Sequence, residues 1–353
     1  MKQDEKLEKD ITEGRNSLTT DRLDMSFGEI ISMYERDEII IDPEFQRLFR
    51  WSDYQQTRFI ESLLLGIPIP PIFVAEDEHG KWELVDGLQR LSTVLSFYGI
   101  LKSMPEKNNW SMCEGELIKS LKDFNYSSLP MKYQLNMKRA VCRVEIIKWN
   151  SKIDMRYELF NRLNTGGSPL TDQEIRNCIF RGISSKFNDL LKRIADSRDF
   201  IILVGPTEKQ LSELYLEELV LRFFSLYDNW RNVKNILSIH MTDFMKNSIT
   251  ENNFNYELED LFYRLIKVLT PLGRDIFRFD NGSFSTSLYD AIMIGVGTNI
   301  EHYENGNRVV DIESKITKIK SDETFRKYTG AASNSKTRVI NRLKRASEIF
   351  EVS

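Results

Sequence analysis

Val85-Asp86-Gly87-Leu88-Gln89-Arg90 decides how the first half of this chain is read, because an extended apolar run ends there and a helical pattern begins. Upstream, Ile72-Phe73-Val74 and Trp82-Glu83-Leu84-Val85 flank the turn Asp77-Glu78-His79-Gly80, the pattern of a β-hairpin. Downstream, Leu91, Val94, Leu95 and Tyr98 recur at helical spacing, and Gly99 closes the run. A strand that turns straight into a helix leaves unbonded amides at the helix start, where the macrodipole also favours negative charge. Gly87 lets the backbone approach a ligand, and Arg90 adds a fixed positive fork. The hexapeptide therefore reads either as a tight turn or as a cradle for phosphate.

Two further segments bear on that choice. Ile41-Asp42-Pro43-Glu44-Phe45-Gln46-Arg47-Leu48-Phe49-Arg50-Trp51 precedes a helix expected from Ser52 to about Leu65, opened by a capping box of Ser52 with Gln55 and ended by Gly66. Phe45, Phe49 and Trp51 suit a core, which leaves Arg47 and Arg50 as surplus charge. The third segment runs from Phe160 to Asn177 through Asn161-Arg162-Leu163-Asn164-Thr165-Gly166-Gly167. Its polar turn separates two helices, the second opened by Thr171 with Glu174 and closed by Gly182. Neither the turn nor the caps require the polar pairs Asn161-Arg162 and Arg176-Asn177.

Taken together, these motifs resemble the N-terminal domain of GmrSD-type modification-dependent restriction systems, also known as domain of unknown function 262. The resemblance covers at least Ser26 to Arg181. It rests on Phe45-Gln46-Arg47 with Trp51, on Ser62-Leu63-Leu64-Leu65-Gly66-Ile67-Pro68-Ile69-Pro70-Pro71, on Asp86-Gly87-Leu88-Gln89-Arg90, and on Arg162-Leu163-Asn164-Thr165-Gly166-Gly167. Leu88 departs from the family box, Asp-Gly-Gln-Gln-Arg, so any nucleotide contact made by that first glutamine is missing here. The family is similar to the ParB and sulfiredoxin fold, whose Gly-x-x-Arg signature binds nucleotide phosphates; Gly87 and Arg90 keep that spacing.

The resemblance implies an α+β, ParB/sulfiredoxin-like module that binds a nucleoside triphosphate, with or without hydrolysing it, as a regulatory or sensor subunit acting against foreign DNA with a separate effector. Gly87 and the following amides would cradle the phosphates, Arg47 and Arg90 would neutralise them, and Arg162 with Asn164 would close the site. Asp86 is the expected catalytic group and Mg2+ ligand if hydrolysis occurs, with Gln46 and Gln89 as the other nearby oxygen donors.

Length and composition agree with a folded chain of more than one module: 353 residues, 41% of them hydrophobic, can bury a sizeable core. The expected division is a charged tail without fixed structure, or a frayed helix, over 1–22; a ParB-like domain over 23–182, its first element starting at Ser26; and a mainly helical domain over 183–353. In the last, Leu211 to Tyr227, Asn255 to Leu269 and Ser287 to Ile300 give the clearest helices; Arg222 falls on a solvated edge and His302 in a surface loop. Cys113, Cys142 and Cys178 lack paired spacing, which fits a reducing cytoplasm. No apolar run reaches the length of a membrane span, and Met1 to Arg15 lacks the apolar region of a signal peptide.

A formal net charge of -4 argues against indiscriminate coating of nucleic acid, but charge is uneven along the chain. Arg338, Arg342 and Arg345 recur at i, i+4 and i+7 on a helix whose other face carries Val339, Leu343, Ala346 and Phe350. The expectation is three guanidiniums facing solvent on one side, a candidate DNA contact.

Several enzyme classes lack their motifs. There is no Gly-x-x-x-x-Gly-Lys-Ser/Thr and no His-Glu-x-x-His, and Gly295-x-Gly297 lacks a third glycine. His79, His240 and His302 are isolated, so a His-Asn-His nuclease is not supported and any nuclease would be a separate partner. Two other readings stay open: a non-enzymatic DNA-binding regulator or antitoxin whose box is only a turn, and a stand-alone nuclease using Asp86, Glu83 and Glu44 as metal ligands. A homo-oligomer is compatible with either.

Overall fold

The predicted hairpin forms, and Asp77 closes its turn by accepting from the backbone N–H of His79 (2.9 Å) and of Lys81 (2.8 Å). It lies inside a five-stranded sheet in a mixed α/β chain, described here from a computed structural model. The structure describes residues 3–41, 51–148, 151, 153–163, 170–181, 183–251, 253–304 and 309–352. Gln46, Arg47, Asn164, Glu44 and Gly182 therefore lie outside the described residues. The chain divides into two units, Met1–Leu170 and Thr171–Ser353.

In chain order the first unit has α1 (Gln3–Asn16), β1 (Thr20–Ser26), α2 (Phe27–Glu35), β2 (Ile39–Ile40), α3 (Asp53–Leu65), β3 (Ile72–Glu76), β4 (Trp82–Asp86), α4 (Leu88–Phe97), α5 (Met131–Arg139), β5 (Val141–Ile147) and α6 (Ile153–Leu163). The sheet order is β1-β5-β3-β4-β2, with β1/β5 and β3/β4 antiparallel and β3/β5 and β2/β4 parallel. One face, carrying Ile72, Val74, Leu84 and Val144, packs with the apolar sides of α2, α3 and α4 into one core. Each fully buried aliphatic or aromatic side chain there stabilises the fold by roughly 1.5–3 kcal/mol.

Ser52 and Gln55 form the full capping box of α3, and Gly66 ends it in the left-handed region at φ 71°. Ser26 accepts from the Glu29 amide at the start of α2. Residues 3–16 are helical, the second of the two expectations for the tail; the correction is β1, which starts at Thr20, ahead of Ser26, and pairs with all seven residues of β5. Thr20-Asp21-Arg22-Leu23-Asp24 is an edge strand with polar residues on show, so it lacks the apolar signature of a buried strand.

The second unit contains α7 (Asp172–Arg181), α8 (Ser185–Ala195), α9 (Arg198–Val204), α10 (Glu208–Ser212), α11 (Tyr215–Leu226), α12 (Leu237–Thr250), α13 (Glu257–Leu269), α14 (Thr286–Gly297), α15 (Ile300–Glu304), α16 (Val309–Ser321), α17 (Glu323–Arg326) and α18 (Lys336–Phe350). Thr171 and Glu174 cap α7 reciprocally, as expected. The helix expected over 211–227 is broken, because Leu214 takes φ 55° and splits α10 from α11. The core runs along α14, buried from Ser287 to Gly297. Gly295, which looked like half of a nucleotide motif, is a packing glycine: a Cβ there would collide with the Phe350 ring of α18. No described helix is long and apolar enough to cross a membrane.

Candidate functional site

Gly87 is the N-cap of α4 and sits at φ 97°, where an L side chain is strained; a Cβ would also come within 2.5 Å of Ile72 Cγ2. A glycine N-cap has no side chain with which to bond the first turn of α4, unlike Ser52 at α3.

Arg90 lies in the first turn of the helix and ties the junction together. Its guanidinium donates to Asp86 Oδ2 at 2.7 Å and to the Pro70 carbonyl at 2.8 Å, joining α4 to the end of β4 and to the proline segment before β3. The arginine side chain is 14% exposed and the aspartate 42%, so the pair is open on the carboxylate side. Gln89 Oε1 accepts from the Trp51 amide at 3.2 Å, and the Trp51 carbonyl accepts from Gln56 Nε2 at 3.2 Å. The box thus touches the last residue of the second motif. Leu88, in place of the family glutamine, packs against the core and offers no polar contact.

A β-bulge aims Asp86. Val74 faces Leu84, yet Phe73 faces Asp86, so β4 carries one extra residue there. Simple alternation would put Asp86 on the core face with Leu84; the bulge moves it to the opposite face, beside Phe73, whose partner on β5 is Glu145. Glu83, opposite Ala75, shares that face.

Arg156 of α6 is the residue that sequence reasoning missed. It is 7% exposed, its Nε has no hydrogen-bond partner among the described residues, and burial pushes its guanidinium pKa down against the opposing charge of Glu83. The usable signal was its spacing: Arg156 and the buried Phe160 are four apart, which puts a cation on the apolar side of a helix.

Asp86, Gly87, Gln89 and Arg90 are thus brought together. Arg162 is exposed and donates to Glu158 on its own helix at 2.8 Å. Gln46, Arg47 and Asn164 lie outside the described residues. Among the described residues no group of three or more His, Cys, Asp or Glu side chains is placed to hold a metal; Glu44 of the nuclease reading lies outside them.

The C-terminal arginines overturn an expectation. Arg342 is fully buried and bonds Asp290 and the Ser333 carbonyl. Arg345 donates to Asp322 at 2.6 Å and to Glu348 at 2.8 Å. Arg338 donates to the Lys327 and Thr329 carbonyls, both at 3.1 Å. Their partners come from α14, from the N-cap of α17 and from the backbone between α17 and α18, so the three guanidiniums do not form a solvated stripe. Arg222, placed on a solvated edge, is 2% exposed and paired with Asp290. His302 is on α15 and not in a loop.

The first unit is therefore an α/β domain with a glycine-opened strand-to-helix turn that carries an arginine and a carboxylate. Residues 27–181 match the family model of the GmrSD restriction endonuclease, N-terminal domain, and this part of the chain carries that domain. No curated protein and no solved structure matches the chain.

Proposed function

We propose that residues 27–181 hold a nucleoside triphosphate on the Asp86–Arg90 turn, and that its binding, with or without hydrolysis, regulates a restriction or anti-phage system whose cutting subunit is a separate protein. The observation that carries this reading is the glycine-capped start of α4 with Arg90 beside it. First-turn amides, the helix dipole and a guanidinium converge on one spot, the chemistry that binds phosphate. Two nitrogens of Arg90 make the bonds to Asp86 and Pro70, and a guanidinium has five donors, so phosphate can be held without breaking the turn. Arg156 adds buried positive charge on the sheet face that Asp86 joins. The Gly87–Arg90 spacing in a strand-to-helix turn supports the ParB/sulfiredoxin likeness.

Asp86 suits Mg2+, because that ion commonly takes one or two carboxylates and completes its shell with water and substrate phosphates. Bound there, the metal would screen the phosphate oxygens during hydrolysis. Asp86 itself would hold the metal or orient the attacking water. Foreign DNA and the cutting subunit are the expected partners of the assembly, and cytoplasm its compartment.

Calorimetry with ATP, GTP, CTP and UTP in the presence of Mg2+ tests the reading. Arg90→Ala should weaken binding by about 10- to 100-fold, as expected for one charge-assisted contact. Arg338→Ala should leave it unchanged. Equal losses in the two variants, or none in Arg90→Ala, would remove the nucleotide from this turn.

A further inference from the structure

Gln89 connects the phosphate turn to a second feature of the same unit. Next to it, Trp51 and Trp110 line a cleft of about 320 Å3 whose walls also include Asp53, Gln56, Glu106 and Asn108. That volume lies at the lower end of the range for small-molecule sites. Both indoles are held in place. Trp51 is fixed through its backbone by Gln89 and Gln56, and its ring stands edge-on to Phe59 at 5.6 Å. Trp110 leans on Phe97 at 5.1 Å. The stretch carrying Trp110 is pinned to α3 by the Cys113 amide donating to Thr57 Oγ1 (3.0 Å) and to α4 by the Asn109 amide donating to the Ser96 carbonyl (2.9 Å). Asn108 exchanges two hydrogen bonds with the Leu101 backbone, at 3.1 and 3.2 Å.

Two observations say what such a cleft would take. Aromatic walls have no use for a phosphate but stack well on a planar base. The charged residues lining the cleft are Asp53 and Glu106, which offer carboxylate acceptors, and Lys107, which offers a donor. A ligand that answers all of these is flat, with acceptors and N–H donors on its edges. Among nucleobases guanine fits best: N7 and O6 accept, and N1–H with N2–H2 donate side by side, the match for a carboxylate.

We propose that the Trp51–Trp110 cleft is the nucleobase subsite of the ligand held at the Asp86–Arg90 turn, with guanine preferred. The proposal rests on the phosphate reading above. Gln89, which meets the Trp51 amide, and Arg90, which holds the turn through Asp86, both belong to the first turn of α4, so cleft and turn share one helix start.

The test is calorimetry of the full chain with GTP, ATP, CTP, UTP and inorganic tripolyphosphate, each with Mg2+, on the native protein and on Trp51→Ala, Trp51→Phe and Asp53→Asn. GTP should bind at least about tenfold tighter than tripolyphosphate, the scale of one base stacked on an aromatic side chain. Trp51→Ala should remove that advantage and leave tripolyphosphate within about twofold of native, a ratio that a misfolded variant would not keep. Trp51→Phe should retain most of the advantage, and Asp53→Asn should narrow the gap between GTP and ATP. If tripolyphosphate binds as tightly as every nucleotide, or if Trp51→Ala weakens both probes alike, the base is not held in this cleft although the phosphate turn stands. If none of the five binds, the phosphate reading fails and the subsite falls with it.

Discussion

Each unit contains an arginine–carboxylate assembly, and the two have opposite characters. In the first, Asp86 and Arg90 meet at 2.7 Å beside a glycine-capped helix start, with the carboxylate 42% exposed. In the second, Asp290 of α14 receives Arg222 of α11, through Nε at 2.5 Å and a terminal nitrogen at 2.8 Å, together with Arg342 of α18. All three are no more than 2% exposed, and Asn334 and the Ser333 carbonyl accept two of the remaining donors. A pair that borders water and a helix start can share its charge with a ligand; a pair enclosed by its own chain can only hold that chain together. The motif does not distinguish the two roles. Enclosure does.

The largest effects should come from breaking the enclosed assembly. Asp290→Ala leaves two buried guanidiniums without their carboxylate and should cost about 3–5 kcal/mol in urea denaturation. The two arginines are not equivalent. Burial opposes the charge of both; Asp290, with Glu218 and Tyr215, raises Arg222 above its ordinary value, whereas burial, with the neighbouring charge of Arg222, pushes Arg342 down. Arg342→Met keeps the Arg222–Asp290 pair and fills the space with an apolar chain, so it should cost at least about 2 kcal/mol less than Asp290→Ala. Equal costs would mean that the second arginine is as necessary as the first. The contrast drawn above would then understate the network.

The next effect sharpens the open assembly. Gly87→Ala must carry a left-handed conformation and push against Ile72, together about 2–4 kcal/mol of lost stability. Gly66→Ala has the same backbone problem at φ 71° with nothing within 4 Å, and should cost only about 1–2 kcal/mol. The difference between the two melts measures how tightly the phosphate turn is packed from behind. If the variants melt together, the turn is loosely held.

Local signals carried much of this into the sequence. The hairpin, the glycine-opened turn, the Ser52 and Thr171 caps and the core stripe of α4 were legible because each depends on residues a few positions apart. So was the family, now matched over residues 27–181. What escaped depends on distant partners. The β1 strand is defined by pairing with β5, some hundred residues on. The bulge that turns Asp86 to the other face shows only in the register with β3. The stripe Arg338, Arg342 and Arg345 looked solvated because i, i+4 spacing reports a shared face and not its surroundings; Asp290 and Asp322, which neutralise two of them, come from other helices. Arg156 escapes for the same reason: its burial and the nearby charge of Glu83 depend on packing from distant residues.

The smallest effect tests a pair between the two extremes. Asp322 caps α17 by accepting from the Phe325 amide at 2.7 Å, and Arg345 donates to it at 2.6 Å; the arginine is 32% exposed and the aspartate 12%. The hydrogen bond from Arg345 holds the Asp322 carboxyl below the usual aspartate value. A depressed carboxylate stabilises the fold above its unfolded pKa, near 3.9, and loses that contribution as pH falls through the folded value. Arg345→Ala should therefore cost only about 0.2–1 kcal/mol at neutral pH, less in high salt, and the gap between variant and native should close in acid, once the pH falls through the lowered Asp322 value. A loss as large as that of Asp290→Ala, or one that persists in acid, would place Arg345 with the enclosed assembly; exposure would then be a poorer guide to an arginine's work than the comparison of the two units makes it.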